Sequence, residues 1–268
     1  MSERMRVAAV QTIAGGDVAE NLMQAELLVR AAAAEGAQLI VLPEYFGILG
    51  AHATDKLAAK ERDGAGPQQD FLARMAREGR VTVVGGSVPI ASDDPARVRS
   101  ACLVYGPDGA RIARYDKIHL FRFTSGAEDY DETRTIQPGD AVMVFDAPCG
   151  RVGLSICYDV RFPELYRALG DCALILVPAA FTATTGAAHW ELLLRTRAVE
   201  NQCYVLAAAQ GGLHPNGRRT WGHSMLVDPW GAVVASKGEG PGIVVGEVDP
   251  ARIAEARAKL PALTHRVM

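Results

Sequence analysis

The stretch Arg151-Val152-Gly153-Leu154-Ser155-Ile156-Cys157-Tyr158-Asp159-Val160-Arg161-Phe162-Pro163-Glu164 restricts the fold more than any other part of the chain. Its first residues, apolar and small, read as a buried strand. The run then breaks in one step to Cys157, Tyr158 and Asp159, and a helix opens near Pro163. A cysteine on so sharp a strand-to-helix turn projects from the sheet edge, with the next backbone N–H free to point the same way. That is the arrangement of a nucleophile with an oxyanion donor beside it. The pattern also suits a small buried hydrophobe, the commonest role of a free cysteine. The rest of the chain has to decide between the two.

The surrounding pattern is α/β. Val7 to Val10 predicts a first strand, and Asp17 an N-cap for a helix over Val18 to Ala34, with Leu22, Ala25, Leu28 and Val29 at helical spacing. Gly36 ends the helix, and Leu39 to Leu42 follows as a short apolar strand stopped by Pro43. Strand–helix–strand in that order argues for a sheet covered by helices. Residues 51–66 read as loop and Gln68 to Glu78 as helix. Val81 to Val84 reads as a strand ending at Gly85-Gly86, and Gly106-Pro107-Asp108-Gly109 as a turn joining strands Ser100–Tyr105 and Arg111–Tyr115. Residues 122–140 form a polar connection long enough to be a functional loop.

Further on, Ala173 to Val177 and Cys203 to Ala208 read as strands, with a helix from about Ala187 to Asn201 between them. Gly211 to Thr220 reads as loop. His223 to Val227, Val233 to Ser236 and Ile243 to Val248 read as strands, a last helix starts near Pro250, and Pro261 to Met268 as an extended tail. No repeat or linker interrupts the chain, so residues 1–268 read as one domain.

Composition narrows the partners. A net charge of −3 offers no basic field for nucleic acid or acidic lipid. Five scattered cysteines, odd in number and without CxxC spacing, argue against a disulfide framework and for a reducing compartment. No stretch is long and apolar enough for a bilayer, and the N-terminal run is too short for a signal h-region, so a cytoplasmic location is expected. The six histidines show no metal-ligand spacing; no metal and no cofactor are expected. The segment Gly211-Gly212 with Asn216-Gly217-Arg218-Arg219 lacks a phosphate-binding pattern and reads as a loop.

Three reactive side chains fall at strand ends: Glu44, Lys117 and Cys157. In an α/β sheet the carboxyl ends of strands converge on one rim. Lys117 could sit where negative charge develops and draw the Cys157 thiol toward thiolate, and Glu44 could take and return a proton. Each also has a structural reading, as a turn cap for Glu44 or a solvated surface charge for Lys117.

Leu42-Pro43-Glu44-Tyr45, Tyr115-Asp116-Lys117-Ile118-His119-Leu120-Phe121 and Gly153 to Glu164 resemble the three signature segments of the nitrilase superfamily of carbon–nitrogen hydrolases. The resemblance runs from Val7 to about Arg266. It implies a four-layer α-β-β-α sandwich with two mixed sheets, Cys157 as nucleophile, Glu44 as general base and Lys117 as oxyanion stabiliser. It also implies Glu132 as a second glutamate positioning the lysine and the substrate nitrogen, and a homodimer or higher homo-oligomer. Cys157-Tyr158-Asp159, unlike the Cys-Trp-Glu of true nitrilases, resembles the amidase-type Nit branch. So do Ala180-Phe181-Thr182, His189-Trp190-Glu191, Gly222-His223-Ser224-Met225 and Asp228-Pro229-Trp230-Gly231. These segments are more similar to deaminated glutathione amidases than to omega-amidases.

The implied reaction is hydrolysis of a small primary amide through a cysteine thioester. Omega-amidase and N-carbamoyl amino acid hydrolase activities stand as alternatives, and a non-enzymatic binding protein is disfavoured by the complete reactive set. The implied substrate-binding residues are Tyr158, Arg161, Phe181 and Thr182. Arg161 stands where related carbamoylases use an arginine for a carboxylate, while a salt bridge to Glu164 is its structural alternative. Two residues depart from the branch pattern, Arg122 in place of an aspartate and Ala179 in place of a serine.

Overall fold

The computed structural model describes residues 2–126 and 128–267. In chain order the strands and helices are β1 (Met5–Gln11), α1 (Val18–Ala34), β2 (Leu39–Val41), α2 (Asp55–Ala58), α3 (Pro67–Gly79), β3 (Thr82–Ala91), β4 (Val98–Tyr105), β5 (Arg111–Asp116), β6 (Arg122–Ser125) and β7 (Glu128–Asp131). After them come β8 (Val144–Ala147), β9 (Gly150–Leu154), α4 (Pro163–Ala168), β10 (Leu174–Ala179), α5 (Ala183–Asn201), β11 (Tyr204–Ala209), β12 (Gly211–Leu213) and β13 (Arg219–Trp221). The chain closes with β14 (Met225–Val227), β15 (Val233–Ser236), β16 (Gly242–Val248) and α6 (Pro250–Lys259).

Two six-stranded mixed sheets stack face to face, ordered β16-β1-β2-β3-β4-β5 and β15-β14-β11-β10-β9-β8. Each has a parallel trio at its centre, β1-β2-β3 in one and β9-β10-β11 in the other, flanked by antiparallel neighbours. Alternation along the strands sorts their side chains into layers. Val7, Ala9, Leu39 and Val41 face the second sheet and pack with Val152, Leu154, Leu174 and Leu176. Ala8, Val10, Ile40 and Leu42 face outward, under Ala25 and Val29 of α1 and Phe71, Leu72 and Met75 of α3. Trp190, Leu194 and Ala198, four residues apart along α5, cover the far face of the second sheet. The result is the α-β-β-α sandwich. Strands covered on both faces need apolar residues at consecutive positions, which is why their sequences read as unbroken apolar runs.

Several expected boundaries move. β3 does not stop at Gly85-Gly86. It shifts register between Gly85 and Val88 and continues to Ala91. A Cβ on Gly86 would lie 2.1 Å from the Pro43 carbonyl oxygen, so glycine lets this strand pass against the backbone that carries Glu44. β10 runs through Pro178 to Ala179, past the Val177 end expected from the sequence. Its pairing with β9 ends at Leu176, so beyond that point only β11 requires bonds from it. Thr182 caps α5 by accepting the Thr185 N–H (3.3 Å), which starts the helix four residues earlier than its apolar pattern does. The loop assigned to 211–220 contains the β12–β13 hairpin, and the polar connection 122–140 contains the β6–β7 hairpin. Residues 51–66 include the short helix α2. The tail, expected to be extended, forms a 3-10 turn at Ala262–His265; Met268 lies outside the described residues.

Candidate active site

The parallel trios set strand direction, and with it the position of the reactive groups. β2, β9 and β10 end on one rim, followed by Leu42-Pro43-Glu44, Ser155-Ile156-Cys157 and Ala180-Phe181-Thr182. β5 is two antiparallel steps from β3, so it shares β3's direction and delivers Lys117 to the same rim. Glu132 comes from the 3-10 turn that closes the β6–β7 hairpin, where Asp131 accepts the Thr133 N–H.

Cys157 has φ of +49°, an uncommon conformation for a residue with a Cβ, and opens a 3-10 turn that runs to Arg161. Asp159 holds that turn. Fully buried, it accepts the Ile156 N–H (2.8 Å) and the Tyr115 hydroxyl (2.7 Å) at Oδ2. Its Oδ1 accepts the His119 N–H (3.0 Å) and lies 2.7 Å from His119 Nδ1. These bonds tie the Cys157 turn to the segment that carries Lys117. The Tyr158 N–H lies in the first positions of this 3-10 turn, where the turn itself offers no acceptor.

Glu44, Lys117 and Glu132 meet in the core. Lys117 Nζ donates to Glu44 Oε1 at 2.7 Å and to Glu132 Oε2 and Oε1 at 2.8 and 3.0 Å. Glu44 Oε2 accepts the Ala180 N–H (2.9 Å), and the Glu44 carbonyl takes the Gln210 amide (3.1 Å), seating the residue between the sheets. Glu132 also accepts the Tyr45 hydroxyl (2.6 Å) and the Phe121 N–H (2.7 Å). Glu44 and Lys117 are respectively 1% and 0% exposed, which rules out the solvated-charge reading. Burial alone would lower the Lys117 pKa, but Glu132 and then Glu44 outweigh it and hold the ammonium well above its ordinary value. In Glu132 burial pushes the other way and is outweighed by Lys117 and Lys56, so this carboxyl lies below its usual range.

Two carboxylates around one ammonium leave the cluster negative, and the thiol responds. Burial pushes the Cys157 thiol well above its ordinary value, and Glu44 raises it further than Lys117 lowers it. Lys117 does lower the Cys157 pKa, as expected, but burial and Glu44 together outweigh it, so at neutral pH the resting group is the thiol.

Glu44, Glu132, Cys157, Tyr158, Phe181 and Thr182 line a chamber of about 10 Å³, the size of one water. Phe121, Glu132 and Arg218 line both it and a larger cavity of about 300 Å³. Tyr158 stacks edge-on against Phe121, with ring centres 5.2 Å apart. Arg161 is placed one layer back. Its guanidinium covers Tyr158 (5.8 Å) and Phe181 (5.1 Å), and Nη1 lies 3.3 Å from His189 Nδ1. No ion pair joins it to Glu164 among the described residues. Arg122 is 71% exposed and faces Asp131 at 3.5 Å, and Ala179 is buried at the end of β10. Three residues at the site went unassigned in the sequence: Tyr45, Lys56 and Arg218. Tyr45 stands beside Glu44 in its motif, but Arg218 lies in a segment with loop composition and Lys56 in one without any pattern.

A two-sheet sandwich with a buried Glu–Lys–Glu network beside a cysteine on a sharp turn defines a hydrolase of carbon–nitrogen bonds. The chain belongs to that family, the nitrilase superfamily, since residues 6–258 match Carbon-nitrogen hydrolase. It is 41% identical over 266 residues to a deaminated glutathione amidase of Synechocystis, covering 97% of each chain. It is 39% identical over 265 residues to human omega-amidase NIT2, covering 97% of this chain and 94% of that one. The crystal structure of the C. elegans NitFhit protein superimposes with a TM-score of 0.90 at 36% identity, over 99% of this chain and 66% of that longer one.

Proposed function

We propose that the protein is a thiol amidohydrolase that cleaves the primary amide of a small carboxylate-bearing substrate and releases ammonia. The observation that carries this reading is that Glu44, Glu132 and Cys157 line one water-sized chamber while Lys117 bridges the two carboxylates behind it. As Cys157 Sγ attacks the amide carbonyl carbon, its proton passes to Glu44 and the carbonyl becomes an oxyanion. Lys117 Nζ and the Tyr158 N–H receive that oxyanion, Lys117 by giving up one of its two contacts with Glu132. The C–N bond then breaks, Glu44 returns the proton to the leaving nitrogen, and ammonia departs from a thioester. Glu44 next takes a proton from water, whose oxygen attacks the thioester. The C–S bond breaks, Cys157 recovers its proton, and the carboxylic acid leaves. The thiol's raised pKa makes Glu44 a necessary partner in the first step. Tyr158, Phe181 and Thr182 are the chamber walls against the substrate, and Arg161 steadies the Tyr158 and Phe181 rings.

Deaminated glutathione is the preferred substrate in this reading, on the Nit-branch segments and the 41% identity. Alpha-ketoglutaramate or succinamate and N-carbamoyl amino acids are the competing ones. An ammonia-release panel with these substrates tests the reading. Wild type should be active on at least one and Cys157→Ala inactive with an unchanged melting curve. Ammonia release by Cys157→Ala at the wild-type rate, or none by wild type from any amide, would sink it. Residues 1–268 act as one domain, and a cytoplasmic location fits the five free cysteines; no helix among the described residues is long and apolar enough to cross a membrane. A homodimer is supported by Leu192 and Val199 of α5 and Trp230 beside them, 65%, 48% and 52% exposed. Sedimentation as a monomer at micromolar concentration would refute it.

A further inference from the structure

Beyond the reaction chamber the larger cavity is lined by two cations, Lys56 and Arg218, that form no salt bridge among the described residues, although Lys56 feels the charge of Glu132. Lys56 Nζ lies over the Tyr45 ring at 5.2 Å and makes one long contact, 3.4 Å to Thr135 Oγ1. Arg218 lies over the Tyr130 ring at 4.8 Å and donates through Nη2 to the Ala180 carbonyl (3.0 Å), while its buried Nε has no partner among the described residues. The acids lining the same cavity are otherwise engaged. Glu132 is held by Lys117 and Tyr45. Asp131 faces Arg134 (3.4 Å) and Arg122 (3.5 Å), and Asp129 accepts the Thr124 hydroxyl at the exposed rim.

We propose that Lys56 and Arg218 form an anion-receiving subsite in this cavity that binds a carboxylate on the substrate's acyl tail, remote from the scissile amide. For the ligand's identity the assignment rests on the amidase reading above. Arg218 lines both spaces, so a tail passing from the Cys157 chamber into the larger cavity meets it directly. An Arg fork paired with a Lys point charge suits a carboxylate, and a volume of about 300 Å³ holds a short dicarboxylic acyl chain. Burial lowers the Lys56 pKa and Glu132 only partly restores it, while Lys117 and Arg218 push it down further, as befits a cation awaiting a partner. Arg161, by contrast, lines neither cavity.

The test measures binding, not turnover, in protein carrying Cys157→Ala. Calorimetry compares succinamate with butyramide, which has a methyl group in place of the carboxylate. The Cys157→Ala protein should prefer succinamate. Adding Lys56→Gln and Arg218→Gln, singly and together, should reduce that preference by on the order of ten- to a hundredfold, the range for hydrogen bonds to charged groups. Equal weakening of both ligands, an unchanged preference, or no preference at the outset would each overturn the assignment. The two readings fail separately. Charge-dependent binding with no ammonia release by wild type removes the amidase and leaves the subsite; the converse removes the subsite alone.

Discussion

Replacing Lys117 with methionine removes one ammonium and leaves its neighbours in place. In the native protein Nζ lies 2.7 Å from Glu44 and 2.8 Å from Glu132, with Lys117 and Glu44 at most 1% exposed. Without it two carboxylates face one another in a buried site. Breaking a buried ion cluster in this way costs about 3–5 kcal/mol. For a chain of this length each kcal/mol lowers Tm by roughly 2 °C, so a fall of about 6–10 °C is expected at pH 7. The loss depends on pH with a definite sign. In the wild type Glu132 lies below its usual range, so its contribution is present above the unfolded pKa and fades as the solution is acidified. In the variant two buried carboxylates repel one another when both are ionised, so the variant is least stable where both carry charge. Acidification should therefore narrow the difference from wild type, which is largest at neutral pH and above.

Activity should fall by at least a thousandfold. Loss of one oxyanion donor accounts for about a hundred- to a thousandfold, and protonation of the carboxylate pair removes the base as well. Thermal unfolding between pH 4 and 8 and ammonia release measure the two effects. Adding Glu132→Gln should restore most of the stability, because one buried charge disappears, and none of the activity. A Lys117→Met protein with Tm within 2 °C of wild type and kcat/KM within tenfold would refute the reasoning.

The remaining predictions concern the elements around the cluster. Asp159→Asn keeps the volume but can accept on one side only. It should lower stability by about 2–3 kcal/mol in urea titration, as expected for buried bonds to a charge, and reduce kcat more than KM; an unchanged kcat would detach Asp159 from the nucleophile turn. In Gly86→Ala the new Cβ would meet backbone at 2.1 Å. About 1–3 kcal/mol of destabilisation should follow, with reduced activity through displacement of Glu44, and a neutral substitution would mean that Pro43 has room to move. Because burial and Glu44 raise the Cys157 thiol, its alkylation by iodoacetamide should be slow at pH 7 and still accelerating beyond pH 9. A plateau below pH 8 would contradict that direction.

What the sequence determines by itself is local. The apolar runs at 39–42, 152–156 and 173–177 each contain the core of a strand, because each is short, bounded by Pro, Gly or charge, and too apolar for anything but an interior. The abrupt change at Cys157-Tyr158-Asp159 marks the end of the strand and the start of the turn that the structure shows there. Glu44, Lys117, Cys157 and Glu132 could be named from their motifs, each within a few residues of a strand end or turn.

Only the tertiary structure decided how these groups act on one another. Lys117 and Glu44 are 73 positions apart in sequence and Lys117 and Glu132 are 15. Their contact depends on the packing of two sheets and on a hairpin folded over the rim. The direction of the Cys157 shift came out opposite to the expectation from Lys117 alone, because an electrostatic sum depends on every charge within a few ångströms and on burial. Lys56 and Arg218 carry no sequence signal, since an ordinary cation becomes notable only when folding seats it in a cavity without a salt-bridge partner. The extension of β3 past Gly86 and of β10 through Pro178 likewise depended on which neighbouring strand was present to receive bonds.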